Sequence, residues 1–368
     1  MKTTVKVAVV GASGYSGEEL VRLLLNHPHA ELTAVTSRQY AGQTIAQAFR
    51  KFAHLPRART LRFSEPNAEL LAKQAEAVFL ALPHGVAAEY AVPLLQLGCQ
   101  VIDLSADFRV KNPAAYKEFY AHDHPAPDLL RKSVYGLPEI YRAQLRNAPL
   151  VASPGCYPTS ILLPTIPLLR EGLIRPTGII ADSISGVSGA GRKLEQNYLF
   201  VECNESARPY GIPKHRHLSE IEQELSLTAQ MPVTIQFTPH LIPVSRGILS
   251  TIYLAPAEHF QSRTGVSPVS GSSNTATMDV VAEKISACYQ SAYGNEPFVR
   301  LLDPDKPGLP DIKNVIGANV IEIAWRLDPR TGRLVVMSAL DNIVKGAGGQ
   351  AVQSFNIMCG FPETSGLV

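Results

Sequence analysis

Short apolar runs alternate with stretches of helical periodicity through the first part of the chain. Lys6-Val7-Ala8-Val9-Val10, Leu32-Thr33-Ala34-Val35-Thr36, Ala77-Val78-Phe79-Leu80-Ala81-Leu82 and Val101-Ile102-Asp103-Leu104 are brief and mostly apolar. Such runs are expected of parallel strands covered on both faces. Between them, Glu18 to Leu25, Glu69 to Gln74 and Ala87 to Leu97 read as helices, the first stopped by His27-Pro28. Strand and helix in alternation predict an α/β fold, a Rossmann-like doubly wound sheet. Past Cys156 the strands become longer and more amphipathic: Gly178 to Ser185, Val233 to Ile242, Gly247 to Ala255, Val315 to Leu327 and Leu334 to Ala339. With helices at Ile161 to Glu171 and Met278 to Tyr293, they predict a second, α+β domain on a mixed or antiparallel sheet. Gln261 to Thr277 is polar and rich in Gly and Ser, so it reads as a flexible insertion. The last segment, Asp341 to Met358, reads as a loop entering a helix whose small residues demand close packing.

At 368 residues the chain exceeds one ordinary core, which points to two domains. Apolar residues at 45%, charged residues at 18% and a net charge of +2 describe a globular protein with no electrostatic footprint for nucleic acid or an anionic membrane. The five cysteines, Cys99, Cys156, Cys203, Cys288 and Cys359, are odd in number and contain no Cys-x-x-Cys pair. They suggest neither a disulfide framework nor a zinc site, so no metal is expected. The N-terminus leads straight into a strand and no apolar stretch approaches membrane-spanning length, so a cytoplasmic protein is expected.

Between the first strand and helix lies Gly11-Ala12-Ser13-Gly14-Tyr15-Ser16-Gly17. Glycines in a strand–turn–helix context allow a tight turn and close approach of a pyrophosphate to the helix start, a variant of the dinucleotide fingerprint. The second strand ends in Ser37-Arg38, where an NAD enzyme places an acid for the ribose hydroxyl. Serine and arginine instead match a 2′-phosphate, which favours NADP, although a solvated arginine at a strand end would look the same. Pro83-His84-Gly85 and Ser105-Ala106-Asp107-Phe108-Arg109 follow later strands and should face the same crevice. Arg109 there would hold a phosphate or carboxylate, or else pair with Asp107 as structural ions. His122-Asp123-His124 has metal-like spacing but no third partner, and reads as a solvated loop.

The second concentration of chemistry is Ser153-Pro154-Gly155-Cys156-Tyr157-Pro158-Thr159-Ser160, after the apolar run Leu150-Val151-Ala152. Pro154 and Gly155 make a turn and Pro158 suits a first helical position, leaving Cys156 just ahead of a helix start. Unpaired N–H groups and the helix dipole there favour a thiolate nucleophile; the alternative is a buried cysteine acting as a small hydrophobe. A cysteine nucleophile needs a proton partner, and His217 lies just outside a helix in which Ser219 and Glu222 form a capping box. The loop Ser185-Gly186-Val187-Ser188-Gly189-Ala190-Gly191-Arg192 offers either flexibility or backbone close to a ligand.

Taken together, Gly-Ala-Ser-Gly-Tyr-Ser-Gly at 11 to 17, Asp-Leu-Ser-Ala-Asp-Phe-Arg at 103 to 109, Ser-Pro-Gly-Cys-Tyr-Pro-Thr at 153 to 159, the Ser185 to Arg192 loop, His-Arg-His at 215 to 217 and Asp-Asn-Ile-Val-Lys-Gly-Ala at 341 to 347 resemble the N-acetyl-γ-glutamyl-phosphate reductases. These are NADP-dependent enzymes of arginine biosynthesis within the wider aspartate-semialdehyde dehydrogenase group. The resemblance runs nearly end to end. It implies an NADP-binding domain over 1–152, completed by a C-terminal helix at 343–368, and a catalytic and oligomerisation domain over 153–342. It further implies Cys156 as nucleophile, His217 as acid/base, Arg109 as a substrate anion contact, and Ser185, Gly186 and Asn342 near the nicotinamide. The partners it implies are a small acyl phosphate and further copies of the chain, as a dimer or tetramer. A reductase for aspartyl or aminoadipyl phosphate would share every one of these motifs.

Overall fold

The computed structural model describes residues 3–257 and 275–368. It divides into two compact units, one comprising 1–156, 188–194 and 343–368, the other 157–187 and 195–342. The segment 188–194 joins the first unit, an excursion that no feature of the sequence announced. Most of the polar stretch 261–277 lies outside the described residues; its last three open the helix Thr275–Tyr293.

The first unit carries seven strands: β1 (Val5–Val10), β2 (Ala30–Thr36), β3 (Phe63–Ser64), β4 (Ala77–Leu80), β5 (Gln100–Asp103), β6 (Val134–Tyr135) and β7 (Leu150–Ala152). Their order is β3-β2-β1-β4-β5-β7-β6 and every pairing is parallel. This is the doubly wound sheet expected, with the order reversing between β1 and β4. Successive residues of β1 feed different cores. Val7 and Val9 pack with Leu20, Leu24 and Phe355, whereas Ala8 and Val10 pack with Ala91 and Leu94. Burial on both faces is why these strands read as unbroken apolar runs.

The helix Gly349–Cys359 belongs to this unit, and ten of its residues are buried. Its entry is fixed by Lys345, whose Nζ donates to Glu139 Oε1 at 2.6 Å and to Gln353 Oε1 at 2.8 Å. Burial acts to raise the Glu139 carboxyl, but the Lys345 ammonium and the hydrogen bonds hold it below its usual range.

The second unit holds β8 (Ile179–Ser185), β9 (Arg208–Pro209), β10 (Ile235–Leu241), β11 (Ile248–Leu254), β12 (Val299–Leu301), β13 (Ile321–Asp328) and β14 (Arg333–Leu340). They form a mixed sheet in the order β12-β13-β14-β11-β8-β10-β9, parallel at β8–β10 and β12–β13 and antiparallel elsewhere. Burial alternates strictly along β8 and β11, which explains their amphipathic pattern. The strand expected from Val315 begins only at Ile321, because 315–319 forms turns after a short 3₁₀ segment.

The helix Cys156–Arg170 starts earlier than the sequence suggested and carries Pro164 and Pro167 in its interior. Each proline removes one N–H and orphans the carbonyl four residues before it. Both carbonyls find donors elsewhere: Ser338 Oγ donates to Ser160 O and Tyr293 Oη to Leu163 O, each at 2.6 Å. A chain of buried hydroxyls, Ser160 to Ser250 at 2.7 Å and Ser250 to Ser183 at 2.6 Å, ties the same helix to β11 and β8.

Candidate functional site

At the end of β1, Gly11 adopts φ +79°, and a Cβ there would lie 2.3 Å from Ala81 O. A Cβ on Gly17 would lie 2.3 Å from Gly11 O. Both glycines are required by the turn and by helix–strand packing. Gly14 is different: its nearest neighbour to an added Cβ is Gly11 O at 3.6 Å, so the protein alone does not demand a glycine there. Open space before this position, at the start of the helix Tyr15–Leu25, which no side chain caps, fits close approach of a dinucleotide pyrophosphate. The turn sits at the β1–β4 reversal, where dinucleotides bind in open α/β sheets. Ser37 is buried and its Oγ donates to Ser13 Oγ at 2.9 Å, joining the two loops. Arg38 is exposed, as is Tyr15, while Ser16 is half-buried.

On the β5 side, Arg109 is buried. Its Nε donates to Ser153 O at 2.7 Å and its Nη2 to Leu104 O at 2.8 Å, while Ser153 N donates to Asp103 O at 2.7 Å. Arg109 therefore braces the turn that leads into Cys156. Asp107 turns its carboxylate onto backbone N–H groups of Gly85 (2.7 Å) and Ala87 (3.0 Å), capping the helix Ala87–Gln96. Its neighbour Asp103 is pushed up to about 7 by burial and by the Asp107 charge. His124, expected in a solvated loop, is buried with its ring 4.8 Å from Tyr116 and 5.3 Å from Phe108. Apolar ring faces explain its position better than metal-like spacing, and no group of three or more metal-binding side chains occurs among the described residues.

Cys156 is the first residue of its fifteen-residue helix, partly exposed and in no disulfide. Pro158 is the third helical residue, still within the first turn where its missing N–H costs nothing. The next residue, Tyr157, packs its ring 5.7 Å from His215 and 5.9 Å from His217, and its hydroxyl accepts from Tyr210 Oη at 2.9 Å. His217 caps the helix Leu218–Ala229 by position, with no side-chain cap. The expected capping box is absent, because Ser219 is already the second helical residue: its Oγ donates to Arg216 O, and Glu222 Oε1 accepts from Ile235 N. Sequence reasoning missed Glu220, which is nearly fully buried with Oε1 4.0 Å from His217 Nε2. An i, i+3 pair at a helix start was the available sequence signal.

His215 differs from His217. Its Nδ1 accepts from His217 N at 3.1 Å, and burial, then the neighbouring Arg216 charge, lowers it to about 4. Unfolded, this ring takes up a proton near 6.5; folded, only near 4. Between those values the unfolded chain binds more protons, so this contribution to stability is complete above about pH 6.5 and lost as pH falls to about 4, on the order of 3 kcal/mol. Asp103 acts in the opposite sense, its raised value destabilising the fold as pH rises toward about 7. A difference measurement isolates the histidine: the melting-temperature advantage of wild type over His215→Gln should shrink steadily from pH 7 to 4.5. A constant difference would contradict burial of a neutral His215.

Ser185, Gly186 and Asn342 come together around Gly247. Gly186 N donates to Gly247 O at 2.9 Å, and Gly247 N donates to Asn342 Oδ1 at 2.7 Å. A Cβ on Gly186 would lie 2.7 Å from Arg246 N, so this glycine is demanded by the chain crossing there. Ser185 closes β8, with its Oγ donating to Gly186 O.

Comparison with known proteins agrees with this architecture. Residues 6–148 match the family model of the semialdehyde dehydrogenase NAD binding domain, and residues 156–342 that of the semialdehyde dehydrogenase dimerisation domain. A protein of Akkermansia muciniphila is 53% identical over 99% of this chain and 98% of its own length, and one of Desulfotalea psychrophila is 47% identical over the same shares. Both are named N-acetyl-gamma-glutamyl-phosphate reductase. Among solved structures, aspartate semialdehyde dehydrogenase with NADP from Candida albicans superposes with TM-score 0.67 at 17% identity, over 96% of this chain and 98% of that one. Aspartate semialdehyde dehydrogenase II from Vibrio cholerae gives 0.65 at 18%, over the same shares. With a dinucleotide-type glycine turn in one unit, a mixed sheet in the other, and matches spanning both, the chain belongs to the semialdehyde dehydrogenase family of oxidoreductases.

Proposed function

We propose that the protein reduces N-acetyl-glutamyl 5-phosphate to N-acetyl-glutamate 5-semialdehyde with NADPH, through a thioester on Cys156, in arginine biosynthesis. The observation that carries this reading is Cys156 as the first residue of a long helix, partly exposed, in a chain half identical to reductases of that name. The helix start favours the thiolate. Cys156 Sγ attacks the acyl carbon; a carbon–sulfur bond forms, the carbon–oxygen bond breaks, and inorganic phosphate leaves with its electron pair. A bound nicotinamide would supply a hydride to the thioester carbon, and the protonated His217 would give a proton to its oxygen, so that a thiohemiacetal forms. His217 then takes the proton from the thiohemiacetal oxygen as the carbon–sulfur bond breaks, releasing the aldehyde and the Cys156 thiolate. Glu220 orients His217 for that transfer, and Arg109 holds the turn before the nucleophile, with an anion contact to substrate as its second role. His215, whose partial burial and neighbouring Arg216 charge lower it to about 4 and keep it neutral, is unsuited to the proton-transfer role.

Gly11 to Gly17, with Ser13, Tyr15 and Ser16 between the glycines, would hold the pyrophosphate. Ser185, Gly186 and Asn342 would lie toward the nicotinamide. Ser37-Arg38 would select NADP. Arg38→Asp should weaken NADPH binding by about 1.5–3 kcal/mol, the worth of a charge-assisted hydrogen bond, and move preference toward NADH. Equilibrium titration with both cofactors tests this; an unchanged NADPH affinity contradicts it. Homo-oligomerisation through the second unit is part of the same reading. One face of its sheet leaves Ile180, Ile184, Tyr253, Val335 and Met337 half-exposed, an apolar surface suited to a second copy. Sedimentation of the chain as a monomer at micromolar concentration would exclude it.

A further inference from the structure

Arg192 closes the glycine-rich loop that follows β8, and its segment, 188–194, belongs to the first unit. Gly191, at φ +81°, makes the turn that delivers it. The Arg192 guanidinium lies 4.7 Å over the Tyr15 ring and 5.6 Å over the Phe49 ring, and its Nη2 donates to Glu18 Oε2. Glu18 already has a cation, since Lys51 Nζ stands 2.6 Å from its Oε1. One carboxylate thus faces two cations beside the first turn of the helix Tyr15–Leu25.

The side of the glycine turn on which this cluster lies is legible from its neighbours. The Phe49 ring is 5.8 Å from Tyr40, and Tyr40 N donates to Ser37 Oγ at 3.3 Å. Arg192 is therefore on the β2 side, linked through two aromatic rings to the Ser37-Arg38 corner. A guanidinium clamped on one edge by a carboxylate and on its face by rings is preorganised, with further N–H donors for a two-point contact. Arg38, Lys51 and Arg192 against Glu18 leave a charge of two positive units, which matches a phosphate monoester of about −1.5 to −2.

We propose that Arg192 is a second cation for the 2′-phosphate of the dinucleotide, acting beside Arg38 and making the site select the phosphorylated cofactor. The proposal rests on the cofactor reading above and assigns that selection to a loop outside the nucleotide-binding motif. Its test is equilibrium binding of NADPH, NADH, adenosine 2′,5′-bisphosphate and AMP to the full chain and to Arg192→Ala and Arg192→Lys. Arg192→Ala should weaken NADPH and the bisphosphate by roughly ten- to a hundredfold and leave NADH and AMP unchanged. Arg192→Lys, which keeps the charge but not the fork, should fall between, and carries the test if the alanine variant does not fold. Equal losses for NADPH and NADH, or an unchanged bisphosphate affinity, would overturn the role of Arg192. A wild-type protein that binds NADH as tightly as NADPH would instead overturn the cofactor reading itself, and this proposal with it.

Discussion

Cys156→Ala should abolish reduction of the acyl phosphate while NADPH still binds with wild-type affinity. The nucleophile has no substitute in the proposed chemistry, because a direct hydride transfer to the acyl phosphate would bypass the carbon–sulfur bond on which both half-reactions depend. The cofactor motif lies at residues 11–17, at the ends of different strands, and the helix Cys156–Arg170 is anchored by contacts that do not involve the thiol: Ser338 to Ser160 O and Tyr293 to Leu163 O. The substitution should therefore leave the melting temperature nearly unchanged. Steady-state assay with parallel cofactor titration checks this. Full activity in the variant would remove the thioester, and loss of NADPH binding together with activity would point to a folding defect instead.

His217→Asn should lower turnover by a factor of roughly 10² to 10⁴, the range associated with losing a positioned acid or base. Acylation should survive as a slow step, since a helix-start thiolate needs less help to form. Glu220→Gln should act in the same direction and more weakly, because it leaves the imidazole in place and removes only the carboxylate 4.0 Å from its Nε2. Rapid-quench measurement separates acylation from hydride transfer. Wild-type turnover in His217→Asn would pass the proton-transfer role to another group.

The parts of this molecule that were legible in the sequence are those set by local backbone geometry and by burial on two faces. The turn at Gly11 and the β1 run are examples, because a positive φ and a doubly covered strand restrict residue choice directly. The start of the helix at Cys156 was read too late, since Pro158 is tolerated throughout a first turn. Pro164 and Pro167 lie inside this helix, and how it tolerates them is not written locally. Their orphaned carbonyls are satisfied by Ser338 and Tyr293, 178 and 130 residues away, and no local pattern encodes such donors. The Ser219–Glu222 spacing imitated a capping box only while Ser219 was taken as the N-cap, two residues later than the observed N-cap His217. In the same way His124 looked solvated until Tyr116 and Phe108 were seen against it. The choice between His215 and His217 depended on the desolvation of His215 and on Glu220 beside His217, and the position of Arg192 on how the loop after β8 folds back, both products of tertiary structure.

The covalent intermediate is the central claim, and mass spectrometry of the protein mixed with N-acetyl-glutamyl phosphate in the absence of cofactor tests it most directly. The peptide containing Cys156 should gain one N-acetyl-glutamyl group, the other four cysteines should remain unmodified, and addition of NADPH should discharge the adduct as aldehyde. An enzyme that turns over normally yet shows no adduct on Cys156, or carries it on Cys99, Cys203, Cys288 or Cys359, would contradict the account.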